Sequence, residues 1–137
     1  MTRLSWEQYA LELAKAASLR SEDPYLQVGA CVLRFDNTVA AVGYNGAPPD
    51  VIIDWTNREE RRIKVSHAEA SCLRYVRPNE CRLIACTTKP CPSCVTLIAS
   101  YKIPEIIYLN DFEGDTENLS SRLCNEFNIK ITKMEEV

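Results

Sequence analysis

The chain of 137 residues lacks the features that mark several protein classes. It contains no run of 18 apolar residues, so no segment is suited to crossing a membrane. Its N-terminus reads as an amphipathic helix interrupted by charge, which differs from the apolar stretch of a secretory signal. Positive charge is not in excess either, since the net charge is −3, and a nucleic-acid-binding protein normally carries a basic face. We therefore expect no membrane and no nucleic acid among its partners.

A disulfide framework is also not indicated. The seven cysteines are odd in number and irregular in spacing, and this pattern does not predict paired bridges. A reducing, cytoplasmic location is the better interpretation. Five of the cysteines lie in apolar stretches, where we expect small buried hydrophobic residues: Cys31, Cys72, Cys81, Cys86 and Cys124.

The chain has only four glycines and no repeat, low-complexity tract or flexible linker, so we expect residues 1–137 to form a single domain. Apolar residues at helical spacing predict a first helix over residues 4–19, with Ser5 as its N-cap. Two β-rich runs, 26–35 and 38–44, predict an antiparallel hairpin. Residues 45–65 are expected to be irregular.

From residue 67 onward, helical and strand patterns alternate. Helices are predicted over 67–76, 91–100 and 116–127, and strands over 82–86, 105–109 and 129–132. Strands that alternate with helices indicate crossover connections and a parallel section of sheet. Together with the hairpin, the pattern predicts an α/β fold, namely a three-layer α/β/α domain around a five-stranded mixed sheet.

The chain has one histidine, and it precedes a pair of closely spaced cysteines. Residues 66–70 read SHAEA, and residues 89–94 read KPCPSC. One imidazole and two thiolates (His67, Cys91 and Cys94) make a three-ligand zinc site with a place left for water, whereas a structural zinc site has four protein ligands. Glu69 is then placed to carry protons for that water. His-x-Glu followed by Pro-Cys-x-x-Cys is typical of zinc-dependent nucleobase deaminases.

These residues also occur in two other kinds of site. A lone CxxC is often a redox pair or half of a structural zinc site. A structural site needs a fourth ligand, and only Cys86, on a predicted strand, is near enough in sequence. Both ligand groups also fall at predicted helix starts, where the positive end of the helix favours thiolates. The pattern therefore favours one catalytic zinc ion per chain.

Further motifs narrow the class. Residues 20–31, RSEDPYLQVGAC, resemble the RSxDPxxxVGA segment of deoxycytidylate (dCMP) deaminases, and residues 43–48, GYNGAP, match their GYNGxP segment. Asp54 and Trp55 fall where those proteins carry Asp and Trp. With HAE and PCPSC in the same order, the resemblance covers residues 3–132. It implies the cytidine-deaminase-like fold and the hydrolysis of dCMP to dUMP and ammonia, which supplies dUMP for thymidylate synthesis.

The resemblance also implies roles for individual residues. His67, Cys91 and Cys94 would hold zinc, and Glu69 would move a proton from the attacking water to N3 of cytosine. Substrate contacts would come from Asn45 to the sugar, from backbone groups of Ala68 and Lys89 to the base edges, from Val28 and Ala30 lining the base pocket, and from Arg20, Ser21 and Asn45 to the 5′-phosphate.

Regulation follows from the same resemblance. Members of this family are commonly homohexamers that dCTP activates and dTTP inhibits, with a divalent cation such as Mg²⁺ accompanying the triphosphate. The effector would contact the segment formed by Gly43, Tyr44, Asn45 and Gly46. We therefore expect a homo-oligomer with dCMP, dCTP and dTTP as its small-molecule partners.

Alternatives remain open at this point. Ser71 replaces an Asn that is usual in the family, and the segment 48–67 looks short. The same chemistry on dCTP, cytidine or deoxycytidine is a second hypothesis, although free-nucleoside deaminases usually place Cys at the position of His67. The acidic balance disfavours a tRNA adenosine deaminase. A catalytically weak module that senses nucleoside triphosphates is the last alternative, and the presence of Glu69 counts against it.

Overall fold

Five strands form one mixed sheet in the computed structural model, which describes residues 2–136. The strands are β1 (Gly29–Arg34), β2 (Val39–Tyr44), β3 (Cys81–Thr88), β4 (Glu105–Asn110) and β5 (Lys130–Lys133). The helices are α1 (Trp6–Ser18), α2 (Arg58–Lys64), α3 (Ala68–Leu73), α4 (Pro92–Ser100) and α5 (Leu119–Glu126), with a short 3₁₀ turn at Thr116–Asn118 before α5.

The strand order is β2-β1-β3-β4-β5. Strand β1 runs antiparallel to both β2 and β3, whereas β3, β4 and β5 are parallel to one another. The predicted mixed sheet, with an N-terminal hairpin and parallel C-terminal strands, is confirmed. The central strand β3 is buried along nearly its whole length, which explains its continuous apolar run.

Alternate residues of the central strands face opposite layers, as the period of two requires. One face of the sheet packs against α1 alone, through Cys31, Leu33, Leu83, Ala85, Ile107 and Leu109. The other face packs against α3, α4 and α5, through Ala30, Val32, Ile84, Cys86, Ile106 and Tyr108. The sheet therefore lies between two helical layers, as predicted.

Two glycines allow helices to approach this sheet closely. A Cβ atom at Gly29 would lie 1.8 Å from the carbonyl oxygen of Ala14 in α1. A Cβ atom at Gly43 would lie 2.6 Å from the backbone nitrogen of Cys72 in α3. Both contacts are with backbone atoms that cannot move aside, so each glycine is needed for layer packing.

The segment expected to be irregular, 45–65, contains the helix α2, and that expectation is wrong in this part. None of the seven residues of α2, all of them described, is buried. Helical periodicity is therefore missing from the sequence, because no face of the helix has to be apolar. Its N-cap Asn57 and the Lys64–Glu60 pair, 2.6 Å apart, support it locally.

Two predicted helix boundaries also move. Helix α3 ends at Leu73, three residues before the predicted end. The last helix begins at Leu119, because Glu117 and Asn118 have positive φ angles of 63° and 51° that interrupt it. Among residues 2–136 no helix has both the length and the apolar character needed to cross a membrane.

Candidate active site

The three predicted metal ligands come together where α3 and α4 begin. His67 and Cys91 occupy the N-cap positions of these helices, and Cys94 lies in the first turn of α4. Nδ1 of His67 lies 3.2 Å from Sγ of Cys94 and 3.6 Å from Sγ of Cys91, and the possible ligand atoms of the three residues lie within 4.8 Å of one another. Cys86 is not part of this cluster.

The cluster fits a zinc ion. Zinc bonds of about 2.3 Å to sulfur and about 2.0 Å to nitrogen, in tetrahedral geometry, place donor atoms about 3.5 Å apart. The distances from Nδ1 to the two sulfur atoms agree with that value, so Nδ1 is the imidazole atom that faces the metal position. Two sulfur donors and one nitrogen donor are a set that suits zinc and leaves a fourth position free of protein.

The pKa values of the two thiols shift in opposite directions. A hydrogen bond from Cys94, helped by another with His67, lowers the pKa of Cys91 to about 3. The same hydrogen bond, together with burial, raises the pKa of Cys94. The hydrogen bond with Cys91 also raises the pKa of His67. A cation bound here would favour the thiolate form of both residues and displace their protons.

Glu69 lies in the first turn of α3, beside the cluster. Its side chain is buried, with 4% of the residue exposed. Burial raises the pKa of Glu69 to about 7, against the opposing effects of its own backbone N–H and of His67. A carboxyl group with this pKa can both accept and donate a proton near neutral pH, as general acid–base catalysis requires.

A cavity of about 280 Å³ opens in front of Glu69. It lies at the carboxyl ends of β3 and β4, where ligands bind in sheets of this kind. The zinc-site side of its wall contains His67, Ala68, Glu69 and Cys91, and the rest contains Asp23, Leu26, Val28, Asn45, Val65, Thr88, Lys89 and Phe112.

The Asn45 side chain holds part of that wall together. Its Nδ2 donates to the carbonyl of Leu26 at 2.9 Å and to Oδ2 of Asp23 at 3.2 Å. Its Oδ1 accepts from the backbone N–H of Val28 at 2.8 Å and keeps one lone pair free. A contact from Asn45 to a sugar stays a prediction. The structure adds that the same amide fixes the loop after α1.

The other predicted base contacts lie in two places. Ala68, Lys89 and Val28 line the cavity. Ala30 is fully buried in β1 and belongs to the core beneath, so it supports the wall without lining it. The Lys89 side chain turns away from solvent and pairs with Asp115 at 2.8 Å.

Of the three predicted phosphate residues, Asn45 lines the cavity, whereas Arg20 and Ser21 do not. Arg20 is exposed. Ser21 is buried, and its Oγ donates to the carbonyl of Asn45 at 2.8 Å, so its present contact is with the loop. Both assignments stay predictions.

The predicted effector segment runs beside the cavity. Gly43 packs against α3, Tyr44 is exposed, and Gly46 forms a bridge to Ser66, next to His67. This bridge ties the end of β2 to the start of α3.

Sequence reasoning missed several wall residues. Asp23 could have been found from the Asp-Pro pair in RSEDP, since its Oδ1 accepts the backbone N–H groups of Tyr25 and Leu26, a turn typical of Asp. Phe112 and Val65 carry no such pattern, because they reach the cavity from loops distant in sequence.

One imidazole, two thiolates and a buried carboxyl group, set at two helix starts of an α/β/α fold, define the class of zinc-dependent nucleobase deaminases. The sequence matches the family described as the cytidine and deoxycytidylate deaminase zinc-binding region over residues 4–110. The chain belongs to this family.

The curated relatives point to one branch of it. Deoxycytidylate deaminase from Mus musculus is 30% identical over 130 residues, covering 86% of this chain and 72% of the relative. Deoxycytidylate deaminase from Mycobacterium phage D29 is 32% identical over 126 residues, covering 79% of this chain and 97% of the relative. The solved dCMP deaminase of cyanophage S-TIM5, in complex with dCMP and dUMP, superposes with a TM-score of 0.81 at 21% identity over 98% of this chain and 100% of that chain. The last comparison establishes the shared fold.

Proposed function

We propose that the chain catalyses the hydrolytic deamination of dCMP to dUMP and ammonia. The observation that carries the proposal is the juxtaposition of Glu69 with the His67, Cys91 and Cys94 cluster at the wall of the cavity. The relatives named deoxycytidylate deaminase support dCMP as the substrate. The dUMP formed would serve thymidylate synthesis.

Zinc held by His67, Cys91 and Cys94 would supply a Lewis acid that lowers the pKa of water. Glu69 accepts a proton from the attacking water and donates it to N3 of the cytosine as the C4–O bond forms. Glu69 then takes a second proton, from the hydroxyl group now on C4, and passes it to the amino group, so that the C4=O bond forms, the C4–N bond breaks and ammonia leaves. Burial of Glu69 keeps this proton between the two reactants.

The start of α3 orients the base. The first N–H groups of a helix have no partner within the helix, so those near Ala68 can donate to the base. The carbonyl of Lys89, just before the turn that carries Cys91, can accept from the amino group. These two backbone contacts would present C4 to the cluster and leave the sugar towards Asn45.

The surroundings of the cavity favour a small substrate with few phosphates. A wider groove of about 770 Å³ shares Leu26, Thr88 and Phe112 with the cavity. Its ionisable lining consists of Lys15 and four carboxylates, besides Tyr25: Glu12, Asp111, Glu113 and Glu136. This acidic lining would repel a triphosphate or an RNA backbone, so we place dCMP ahead of dCTP and tRNA as substrates.

Regulation is a finer part of the proposal. We expect a homohexamer that dCTP with Mg²⁺ activates and dTTP inhibits, with effector contacts from residues 43–46. The position of this segment between the edge strand β2 and the start of α3 supports such a link, since movement of Gly46 would reach Ser66 and His67.

The test is steady-state deamination of dCMP, dCTP and deoxycytidine side by side, with and without dCTP or dTTP as effector. We expect a clear preference for dCMP, raised by dCTP and lowered by dTTP. Comparable rates on dCTP would overturn the assignment of dCMP as the preferred substrate and leave the proposed zinc chemistry unchanged. No turnover by zinc-loaded protein on any of the three would overturn the proposed activity and favour the nucleotide-sensing alternative.

A further inference from the structure

A buried ion pair includes Lys89, which comes two residues before the metal ligand Cys91. The Lys89 side chain is 2% exposed, and its Nζ lies 2.8 Å from Oδ2 of Asp115, whose side chain is 10% exposed. Nζ also lies 5.7 Å from the centre of the Tyr108 ring. Two charges removed from water in this way are tolerated only when they are paired. The pair is therefore a strong constraint on the position of both residues.

The pair belongs to a set of contacts between two segments. One segment, 87–91, leads from β3 into the turn that carries Cys91. The other follows β4 and includes residues 111–118. Besides the ion pair, the Lys89 amide donates to the carbonyl of Asn110 at 2.8 Å, and Oγ of Ser120 donates to the carbonyl of Pro90 at 2.7 Å. Within the loop 111–118, Nζ of Lys89 contacts Asp115 through the ion pair and also Oδ1 of Asn118 at 3.5 Å.

The loop 111–118 has a shape that it would not keep by itself. Gly114, Glu117 and Asn118 have positive φ angles of 87°, 63° and 51°. Non-glycine residues in this region are strained, and such a conformation persists only where surrounding contacts impose it. Phe112, on the same loop, forms part of the cavity wall.

We propose that the Lys89–Asp115 ion pair is a positioning pair for the nucleotide cavity, which holds the loop 111–118, and Phe112 with it, against the turn that carries Cys91. The side chains of Lys89 and Asp115 act through Phe112, whereas the proposed contact of Lys89 with the base is made by its backbone carbonyl. The statement that the cavity binds a nucleotide rests on the proposed function, whereas the statement that the ion pair orders the loop does not.

The experiment compares Lys89→Met with the wild-type protein, both zinc-loaded, in hydrogen exchange of peptides covering 111–118 and in dCMP kinetics. Amide exchange in the loop and KM should each rise about tenfold or more, with kcat changed less than about threefold and zinc content unchanged. Lys89→Arg keeps the charge, so we expect it to restore both quantities.

The chain offers a matched control on the same loop. Lys133 pairs with Asp111 at 2.7 Å, but both side chains are 53% exposed. An exposed pair contributes little. Lys133→Met should therefore leave loop exchange and KM unchanged.

A second variant separates positioning from stability, because Lys89→Met alone leaves the Asp115 carboxylate buried without its partner. The double variant Lys89→Met with Asp115→Leu removes both charges, and such replacements often restore stability. We expect it to melt close to the wild type while loop exchange and KM stay raised. Wild-type exchange and KM in the double variant would overturn the inference. Failure of the wild type to deaminate dCMP would overturn the proposed function, while loop exchange would still decide the role of the pair.

Discussion

Two pairs of helices in this protein, α1 with α2 and α3 with α4, begin in different ways. Helix α1 begins with a capping box, in which Oγ of Ser5 accepts the amide of Gln8 at 3.1 Å and the Gln8 side chain accepts the amide of Ser5 at 2.9 Å. Helix α2 begins with Asn57, whose side chain accepts the amide of Glu60 at 3.0 Å. In both, the N-cap side chain serves its own helix, as is usual.

Helices α3 and α4 begin without that help. Their N-cap residues, His67 and Cys91, make no side-chain capping hydrogen bond and instead face each other across the metal site. Each helix thereby forgoes about 1 kcal/mol of capping stabilisation. In return, both N-cap side chains are available to the metal site, and in the first turn of α3 the backbone N–H of Glu69 bonds the Glu69 carboxyl group. The starts of α3 and α4 are therefore less stable than capped helix starts. Departures from the rules of local stability are expected at functional sites such as this one.

The largest effect should come from Glu69, which follows one of these uncapped starts. Glu69→Gln keeps the shape of the side chain and removes the group that moves protons, so turnover of dCMP should fall about 10³-fold or more. Steady-state kinetics and zinc analysis would check this. Zinc content should stay at the wild-type value, because Glu69 is not a ligand. Near-normal turnover would contradict the proposed mechanism.

The next effect concerns the metal itself. Cys94→Ser removes one of two thiolates, so zinc content measured by elemental analysis should fall well below one ion per chain. Cys124→Ala is the matched control, since Cys124 is also a buried cysteine on a helix but lies outside the cluster. The control should lose some stability and keep its zinc. Full zinc occupancy in Cys94→Ser would show that the ligand set is wrong.

The difference between the two kinds of helix start also explains what could be predicted from the sequence. The sequence alone allows the prediction of His67, Glu69, Cys91 and Cys94, because zinc chemistry requires these residue types at short, fixed spacings. The Ser5 cap is predictable from the sequence because capping is a local interaction. No sequence pattern indicates the Lys89–Asp115 pair, because its partners are 26 residues apart and meet only in the folded protein.

The same reasoning applies to helix α2 and to the phosphate residues. Helix α2 buries no residue, so it leaves no apolar period to detect. Arg20 and Ser21 belong to a motif that can serve either a ligand or the loop, and residue type alone does not distinguish the two uses. A single sequence thus does not reveal contacts between residues distant in the chain, nor a helix that packs against nothing.

A smaller effect, on the free energy of unfolding, is expected when a capping side chain is placed at the start of α3. His67→Asn and His67→Ala both remove the zinc ligand, but only Asn can accept the amides of the first turn. His67 has φ −71° and ψ 154°, close to the −66° and 164° of the capping residue Ser5. Without metal, His67→Asn should be more stable than His67→Ala by about 1 kcal/mol in urea unfolding. Equal stabilities would mean that the first-turn amides of α3 already have other partners.

The smallest effects should come from the capped starts, far from the chemistry. Ser5→Ala breaks both hydrogen bonds of the capping box and should lower the free energy of unfolding by about 1 kcal/mol, with zinc content and kcat unchanged. Asn57→Ala removes a similar bond but should cost less than about 0.5 kcal/mol of global stability, because α2 can fray without exposing any core. Chemical denaturation of both variants beside the wild type would measure the difference. If Asn57→Ala instead reduced dCMP turnover, helix α2 would have to contribute to the active site although it buries no residue. The contrast between capped and uncapped helix starts would then no longer separate residues that stabilise the fold from residues that serve catalysis.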